Sequence, residues 1–527
     1  MKRLTIVPLI SIVFSFAITA CSSHISVSSV SEESTEKSAQ SSIQQSDNNA
    51  TDNLIFSYVD EYKGYIVKVA SEDFEGEVVI PSFYNGLPVI SIDDNAFERC
   101  FSLTSISIPN SVISIGSRAF YECTSLTSIS IPDSVISIGE RAFSGCTSLT
   151  SFTIPDSLTS ICDWTFCDCR SLASIVFPNS IASIGNHAFY SCSSLNSIVI
   201  PNNIVSIGEC AFQECTSLTS VTLPDNIKTI NLGVFSGCSA LTSIIIPNSV
   251  TSIGERAFGD CTSLTSITLG DDVTTIDFDA FIGCFALVEI VNKSSLRIKV
   301  GSSEDGCVAS YAKQVIIDEK NSRLNRDGHG FISYNDGSDI WLVKYVGTEA
   351  DIIVPSIITS INQGTFYYCS SLTSISIPDS VTYIGNFAFR GCSSLTSITL
   401  GNGVSFIGNA AFANCSSLTS ITLTDSITSI DGGLFYDCSS LTSISIPNSV
   451  TSIGGMAFDH CTSLTSISIP DSVTYIGTFA FGGCTSLTSF TFEGSIEEWN
   501  TMKRESGWRD NAPVKVIHCS DGDVDLR

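Results

Sequence analysis

The sequence predicts a repeat solenoid in which short strands stack into a parallel β-sheet, and three observations predict it. Fifteen cysteines recur in two runs, Cys100 to Cys284 and Cys369 to Cys484, and inside each run the spacing is 23 residues without exception. A Phe stands three residues before each of these cysteines and a Leu three residues after it, as Phe143, Cys146 and Leu149 do. Ile129 and Ile131 alternate with Ser128 and Ser130, the pattern of a half-buried strand, and later repeats carry the same wording. A strict short period means that each repeat is one coil of a stack. One coil cannot bury its own apolar side chains. Laid on neighbours about 4.8 Å away, the coils gather them into a continuous core.

The stretch from Cys123 to Gly145 shows how one coil is built. LTSISIP supplies the strand, with Ile129 and Ile131 inward. Pro132 and Asp133 turn the chain, since proline presets the turn dihedral and has no N–H to lose. VISIG makes a second short apolar step, and Gly139 is expected to take a positive φ at the bend that follows. ERAFSGC then forms a short 3-10 or turn segment that folds Ala142, Phe143 and Cys146 inward.

The wording L-x-x-I-x-I-P-x-x-V-x-x-I-G-x-x-A-F-x-x-C resembles the leucine-rich repeats of the BspA-like, or treponemal, type, over about residues 50 to 519. The resemblance implies a curved leucine-rich-repeat-like solenoid carried by a bacterial surface lipoprotein. Several members of that family are adhesins for host proteins or other bacteria, and the family has no shared catalytic residues to carry over.

From the front, Lys2 and Arg3 precede an apolar run from Leu4 to Thr19, and Ile18-Thr19-Ala20 leads into Cys21. This resembles a bacterial lipoprotein signal over 1–20, with Cys21 acylated after cleavage; the other reading is an ordinary secretory signal. The lipoprotein reading predicts an exported chain, on the cell surface, that meets the membrane only through its lipid anchor. Residues 21–53 are rich in Ser, Gln, Asn and Glu and read as a disordered tether.

Residues 54–99 read as an N-terminal cap and first coil. FYNGLP, 83–88, lengthens that coil to 28 residues between Pro81 and Pro109, and a loop is expected to bulge there. The first array runs over 100–300. Cys369 follows Cys284 by 85 positions, not a multiple of 23, so the register breaks. The seam, 301–350, is expected to hold a short helix within 305–316 and then a β-hairpin turning at Tyr334-Asn335-Asp336-Gly337. Either one continuous superhelix with an inserted element or two arrays with a hinge fits the break, and the rarity of long structureless loops favours the first. The second array covers 351–490. Residues 491–527 abandon the repeat and read as a C-terminal cap of a helix and a strand, ending in a charged tail that includes SDGDVD, 520–525.

With 25 basic against 53 acidic residues the net charge is −28, which argues against a nucleic-acid partner. The periodic thiols line up one per coil with histidines scattered, so they do not converge as metal ligands. Ladder neighbours also point the same way, which is poor geometry for disulfides. They read as small buried apolar residues, and Cys162 with Cys167, sharing one coil, is the pair to test for a bond. No nucleophile with a partnered base, no paired carboxylates and no cofactor motif stands out, so neither catalysis nor a cofactor is expected.

The outward strand positions are nearly all hydroxyls, and the exceptions are the candidate binding patch. Val176, Val199 and Ile245 replace the Ser or Thr between the inward strand residues. In the second array Tyr383, Phe406 and Tyr475 replace the serine of VTSIG, with Phe387 and Phe479 two residues before the core Phe of their coils. Adjacent coils would set Tyr383 beside Phe406. The expected role is a monomeric, non-catalytic module that binds host extracellular or bacterial surface proteins, or a glycan. A structural spacer without a dedicated ligand is the alternative.

Overall fold

The computed structural model describes residues 53–71 and 75–526. They fall into two compact units, each a β-solenoid of stacked coils. The first holds residues up to 261 together with 267–284 and 292–308, and the second holds 262–266, 285–291 and everything from 309 onward.

In the first unit the strand Ser151–Thr153 runs parallel to Ser174–Val176 on one side and Ser128–Ile129 on the other, so every residue faces its counterpart 23 positions away. A second ladder joins Ser160–Ile161, Ser183–Ile184 and Ser206–Ile207 in the same register. Leu149, Phe152 and Ile154 turn inward and are buried, with Ser151 and Thr153 exposed between them.

The third side of the coil has no strand, yet it is bonded coil to coil as regularly as the sheets. The N–H groups of Arg141, Phe143 and Gly145 donate to the carbonyls of Asp163, Thr165 and Cys167 in the next coil, at 3.1, 2.9 and 2.7 Å. Between them, Ala142, Ser144 and Cys146 donate back three residues along their own coil. Two residues per coil make this alternation possible by adopting left-handed backbone, here Arg141 at φ 58° and Gly145 at φ 77°. The same pair of positions carries Arg118 and Glu122, His187 and Ser191, and Met456 and His460 in other coils, all at positive φ.

The bend residue is therefore not Gly139, as the sequence suggested. Gly139 keeps a φ outside the left-handed region and is required for a different reason: a Cβ there would lie 2.5 Å from the backbone nitrogen of Ser117 in the preceding coil. Close approach of backbones, not handedness, fixes glycine at that place.

Two inner columns knit the coils. Phe97, Phe120 and Phe143 stack with centroids 5.3 and 5.2 Å apart and planes within 5° of parallel, and the stack continues to Phe281. From Cys123 to Cys284 each ladder thiol donates to the carbonyl of the core Phe one coil back: Cys123 Sγ to Phe97 O at 3.0 Å, Cys146 to Phe120 O and Cys169 to Phe143 O, both at 3.2 Å. In the second unit Cys392 to Phe366 O at 3.1 Å opens the same series. Burial pushes these thiols up, Cys215 and Cys415 to about 12, and their chemistry is that of weak internal donors. Every cysteine among the described residues is a free thiol. Cys162 and Cys167 are both buried, and Cys167 turns its thiol to Asp168 Oδ2 at 3.5 Å.

At its start the first unit is covered by Leu54–Val59, antiparallel to Gly64–Val69, which passes into the parallel ladder at Leu87–Ile92. The loop expected at 83–88 is instead a tight hairpin, with Phe83 opposite Pro88 and Tyr84 opposite Leu87. Asn85 and Gly86 hold φ of 47° and 79°, the two left-handed residues that a two-residue hairpin demands.

In the second unit Leu324–Arg326, Phe331–Asn335 and Ile340–Tyr345 form an antiparallel meander, and Ile340–Tyr345 hands over to the parallel ladder at Ser360–Ile361. The expected turn is there. Asp336 anchors it by accepting the N–H groups of Ser338 and Asp339 at 2.9 and 2.8 Å.

The helix expected within 305–316 does not form. Asp305, Gly306 and Cys307 are all left-handed, at φ 51°, 62° and 66°, which no right-handed helix accepts. In the first unit Gly306 O takes the N–H of Phe281 at 2.9 Å, so this stretch extends the turn ladder. Gln314–Ile316 is a strand whose residues lie parallel to Glu289, Ile290 and Val291. The seam's one helical turn is the 3-10 segment Glu319–Asn321.

At the far end the helix Ile496–Thr501 starts with a capping box between Ser495 and Glu498 and buries Trp499 against Phe490, Phe492 and Trp508. The supposed charged tail is also structured: Gly522–Asp525 pairs antiparallel with Val516–Cys519, with His518 Nδ1 and Asp523 Oδ1 2.8 Å apart.

Two measurements check this account. Gly139→Ala should lower stability by more than about 2 kcal/mol in denaturant unfolding, since backbone must shift, whereas Met456→Gly should be neutral or stabilising by up to about 1 kcal/mol. A bulky aromatic disulfide reagent at neutral pH should label Cys210, Cys307, Cys519 and, alone of the ladder, Cys369, which are half-buried, and should reach the other ladder thiols only after unfolding.

Candidate interaction surface

The outward strand positions form straight columns, because each coil places the same residue at the same height. In the first unit one such column contains Thr153 beside Val176 and Val199 beside Thr222. Val176, Val199 and Ile245 stand out of it, 78, 67 and 64% exposed, against a background of hydroxyls. Val176 and Val199 are on successive coils, and Ile245 follows beyond Thr222. Beside Val176 lies an open depression of about 380 Å³, lined by Phe152, Ile154, Asp156 and Pro178 among others.

In the second unit the structure joins Tyr383 and Phe406, which pair in register and stack with centroids 5.0 Å apart and planes 7° from parallel. Trp341 extends the row, edge-on to Tyr383 at 5.7 Å over the buried Ser360. The Trp341 indole N–H donates to Asp336 Oδ2 at 3.0 Å, and Lys313 Nζ lies 3.5 Å from the ring centroid. The hydrogen bonds that Asp336 accepts from Asp339, Ser338 and Trp341 hold its carboxyl well below the usual carboxylate range. Burial, and after it the charge of Asp431, raises the Tyr383 phenol.

The other aromatic candidates are not part of this row. Phe387 and Phe479 occupy left-handed positions on the turn edge, at φ 57° and 54°. Phe387 rests near Phe285 at 5.9 Å with the Arg390 guanidinium 5.6 Å from its ring, and Phe479 is 38% exposed near the C-terminal cap. Tyr475 is in the strand column but three coils beyond Phe406, with Lys503 Nζ 5.2 Å from its centroid. Cys21 lies outside the described residues.

Three features escaped the sequence. Trp341 sits in the cap hairpin, where the broken register hides which column it joins. Ile353 is 76% exposed and pairs with Ser376, so it belongs to the column type of Val176; Pro355 and Pro378, 23 apart, were the available signal. On the turn edge of the first unit Trp164 and His187 stack at 3.9 Å with planes 2° apart, and the Arg141 guanidinium covers Trp164 at 5.1 Å. The left-handed positions of successive coils bring these three together, and burial lowers the His187 pKa.

The family model of the BspA type leucine rich repeat region matches over two overlapping stretches, residues 90–204 and 182–302, and a separate one, 349–464, together more than half of the chain. Among solved structures, a leucine rich cell surface protein from Faecalibacterium prausnitzii A2-165 is 28% identical, with 89% of this chain and 99% of that one covered at a TM-score of 0.33. A leucine-rich repeat protein from Bacteroides ovatus is 26% identical, with 82 and 99% covered at a TM-score of 0.33. The T. pallidum leucine rich repeat protein is 33% identical over 41% of this chain and 89% of its own, at a TM-score of 0.30. No curated protein matches. At such TM-scores the superpositions add nothing to the family match, which agrees with the coil geometry residue by residue: the chain belongs to the BspA-type leucine-rich repeat family.

Proposed function

We propose that this chain is a lipid-anchored, surface-displayed module that binds proteins of a host or of other bacteria, held off the membrane by the 21–53 tether and attached through Cys21. The observation that carries the reading is the contrast along single columns: hydroxyls at almost every outward place, then Val176, Val199 and Ile245 at 64 to 78% exposure, and the stacked pair of Tyr383 and Phe406. The core does not need these side chains, because neighbouring coils fold with Ser or Thr at the same place. Exposed clustered aromatics and aliphatics are the residues that supply binding energy at protein interfaces.

The spacer reading draws on the remaining surface. On their outward strand positions most coils present only Ser and Thr, uncharged and poor in anchoring side chains, and a spacer needs no more than that.

Soluble protein carrying residues 54–527, titrated against purified extracellular host proteins and against whole bacteria, separates the two. The binding reading expects saturable capture by at least one partner, weakened by about tenfold or more when Tyr383→Ser is combined with Phe406→Ser. A silent panel, or capture indifferent to these changes and to Val176→Ser with Val199→Ser, favours the spacer. The anchor has its own check. Labelled palmitate should enter the wild-type chain and not Cys21→Ser, and protease applied to intact cells should remove the solenoid from the wild-type strain.

A further inference from the structure

The aromatic column of the second unit has no counterpart in the first, where Ser114, Ser137, Ser160, Ser183, Ser206 and Thr229 hold the equivalent places. It is also capped at both ends by the chain's own cations. Lys313 Nζ lies 3.5 Å from the centroid of Trp341 at one end, and at the other Lys503, paired in register with Tyr475, puts its Nζ 5.2 Å from that ring.

Between these ends the column is open. Phe406 spends one face on Tyr383 and turns the other along the stack, toward the coils of Ser429 and Ser452. Tyr475 pairs with Ser452 from the far side, its lysine-free face toward the same two coils. Two aromatic walls three coil steps apart thus bound a notch floored by two small hydroxyl residues; strand pairing joins Ser429 to Ser452 and Ser452 to Tyr475 but not Phe406 to Ser429, so the walls stand at least about 14 Å apart, the length of three strand spacings. A carboxylate stands at that floor: Asp431, which accepts the Ser429 hydroxyl at 2.7 Å, replaces the glycine found at this place in the neighbouring coils, such as Gly408 and Gly454.

We infer that this notch receives the cationic side chains of an arginine- or lysine-bearing segment of a partner protein, with guanidinium or ammonium groups on the open faces of Phe406 and Tyr475 and a charge pair to Asp431. The inference rests on the binding reading above and adds the chemistry of the occupant. The chain itself supplies the precedent, since the outer rings of the same column are already covered by lysines. A positive group over an aromatic face gains from the ring quadrupole, and the walls leave room for side chains, not for a folded surface. A net charge of −28 draws positive segments to the molecule and disfavours acidic ones.

The test uses the full chain and a labelled nonapeptide of alternating Arg and Gly, followed by fluorescence anisotropy at about 0.15 M salt, where long-range attraction is screened. Lys-Gly and Glu-Gly peptides and a neutral oligosaccharide form the other arms. Saturable binding of the Arg-Gly peptide is expected, with the Lys-Gly peptide weaker and no binding of the acidic one. Phe406→Ser and Tyr475→Ser should each weaken it roughly two- to fivefold, and Asp431→Gly by a similar factor. All three install a residue that other coils carry at the same position, so the fold is retained, and Val205→Thr, an exposed position outside both patches where another coil carries Thr251, should leave the affinity unchanged. Absence of binding, equal binding by every variant, or displacement of the peptide by the oligosaccharide would overturn the inference. If purified surface proteins still bind in the earlier titration while the Arg-Gly peptide does not, the occupant is wrong and the binding reading survives.

Discussion

Each coil leaves its backbone polar groups facing along the stack, and only another coil at the right distance can satisfy them. Two ladders of short parallel strands meet that demand on the sheet faces. On the third face the chain meets it by alternating right- and left-handed residues, so that every second N–H points out of its own coil. A buried N–H without a partner costs about as much as a lost hydrogen bond, so most steps between coils are held from three directions at once, and where a strand ladder lapses, as between Ser206–Ile207 and Thr229–Ile230, the turn ladder carries on. The 23-residue period follows from this. A residue added or removed within a ladder segment would move the N–H groups off their carbonyls and turn inward side chains outward, and the one lengthened coil keeps its register by looping its extra residues out as the hairpin at Asn85-Gly86. Phe columns, thiols and the glycine at Gly139 are fitted to the same step, the thiols closing carbonyls that the backbone alone leaves with a free lone pair.

That tight interior releases the exterior. Because the backbone ladders do not depend on the outward side chains of the strands, a valine, an isoleucine or a tyrosine at such a place leaves the neighbouring coils undisturbed; where those side chains do bond across coils, as Ser91 Oγ does with Ser114 Oγ at 2.7 Å, they add to ladders already made. The columns that result are straight, evenly spaced and addressed one residue per coil. Val176 with Val199, and Tyr383 with Phe406, become neighbours through the stacking and not through any local feature of the chain.

Much of this was legible in the sequence because period, side-chain type and burial all agree. Phe143, Cys146, Leu149 and their repeats are buried where the spacing put them, and the pairing of Tyr383 with Phe406 needed only the number 23. What was not legible has identifiable causes. Positive φ was assigned to glycine, while the coil bonding imposes it on Arg141, His187 and Met456, which local preference disfavours. The helix within 305–316 failed for the same reason, since three left-handed residues in a row override a helical composition. The hairpin at Asn85-Gly86 was marked by its own dipeptide and overlooked beside the length of the insertion. Trp341 joined the aromatic row through a strand outside the repeat register, where counting cannot reach. Phe387 and Phe479 were grouped with that row by residue type, though they stand on the turn edge of the coil.

One consequence concerns how such a protein changes. Adding or removing a whole 23-residue repeat lets the coils on either side meet through the same ladders and leaves the interior intact. Between Phe406 and Tyr475 each such event would move the two rings apart or together by one strand spacing, about 4.8 Å, and by nothing in between. The width between those rings can therefore change by whole increments while Phe406 and Tyr475 themselves stay the same, a dial with stops.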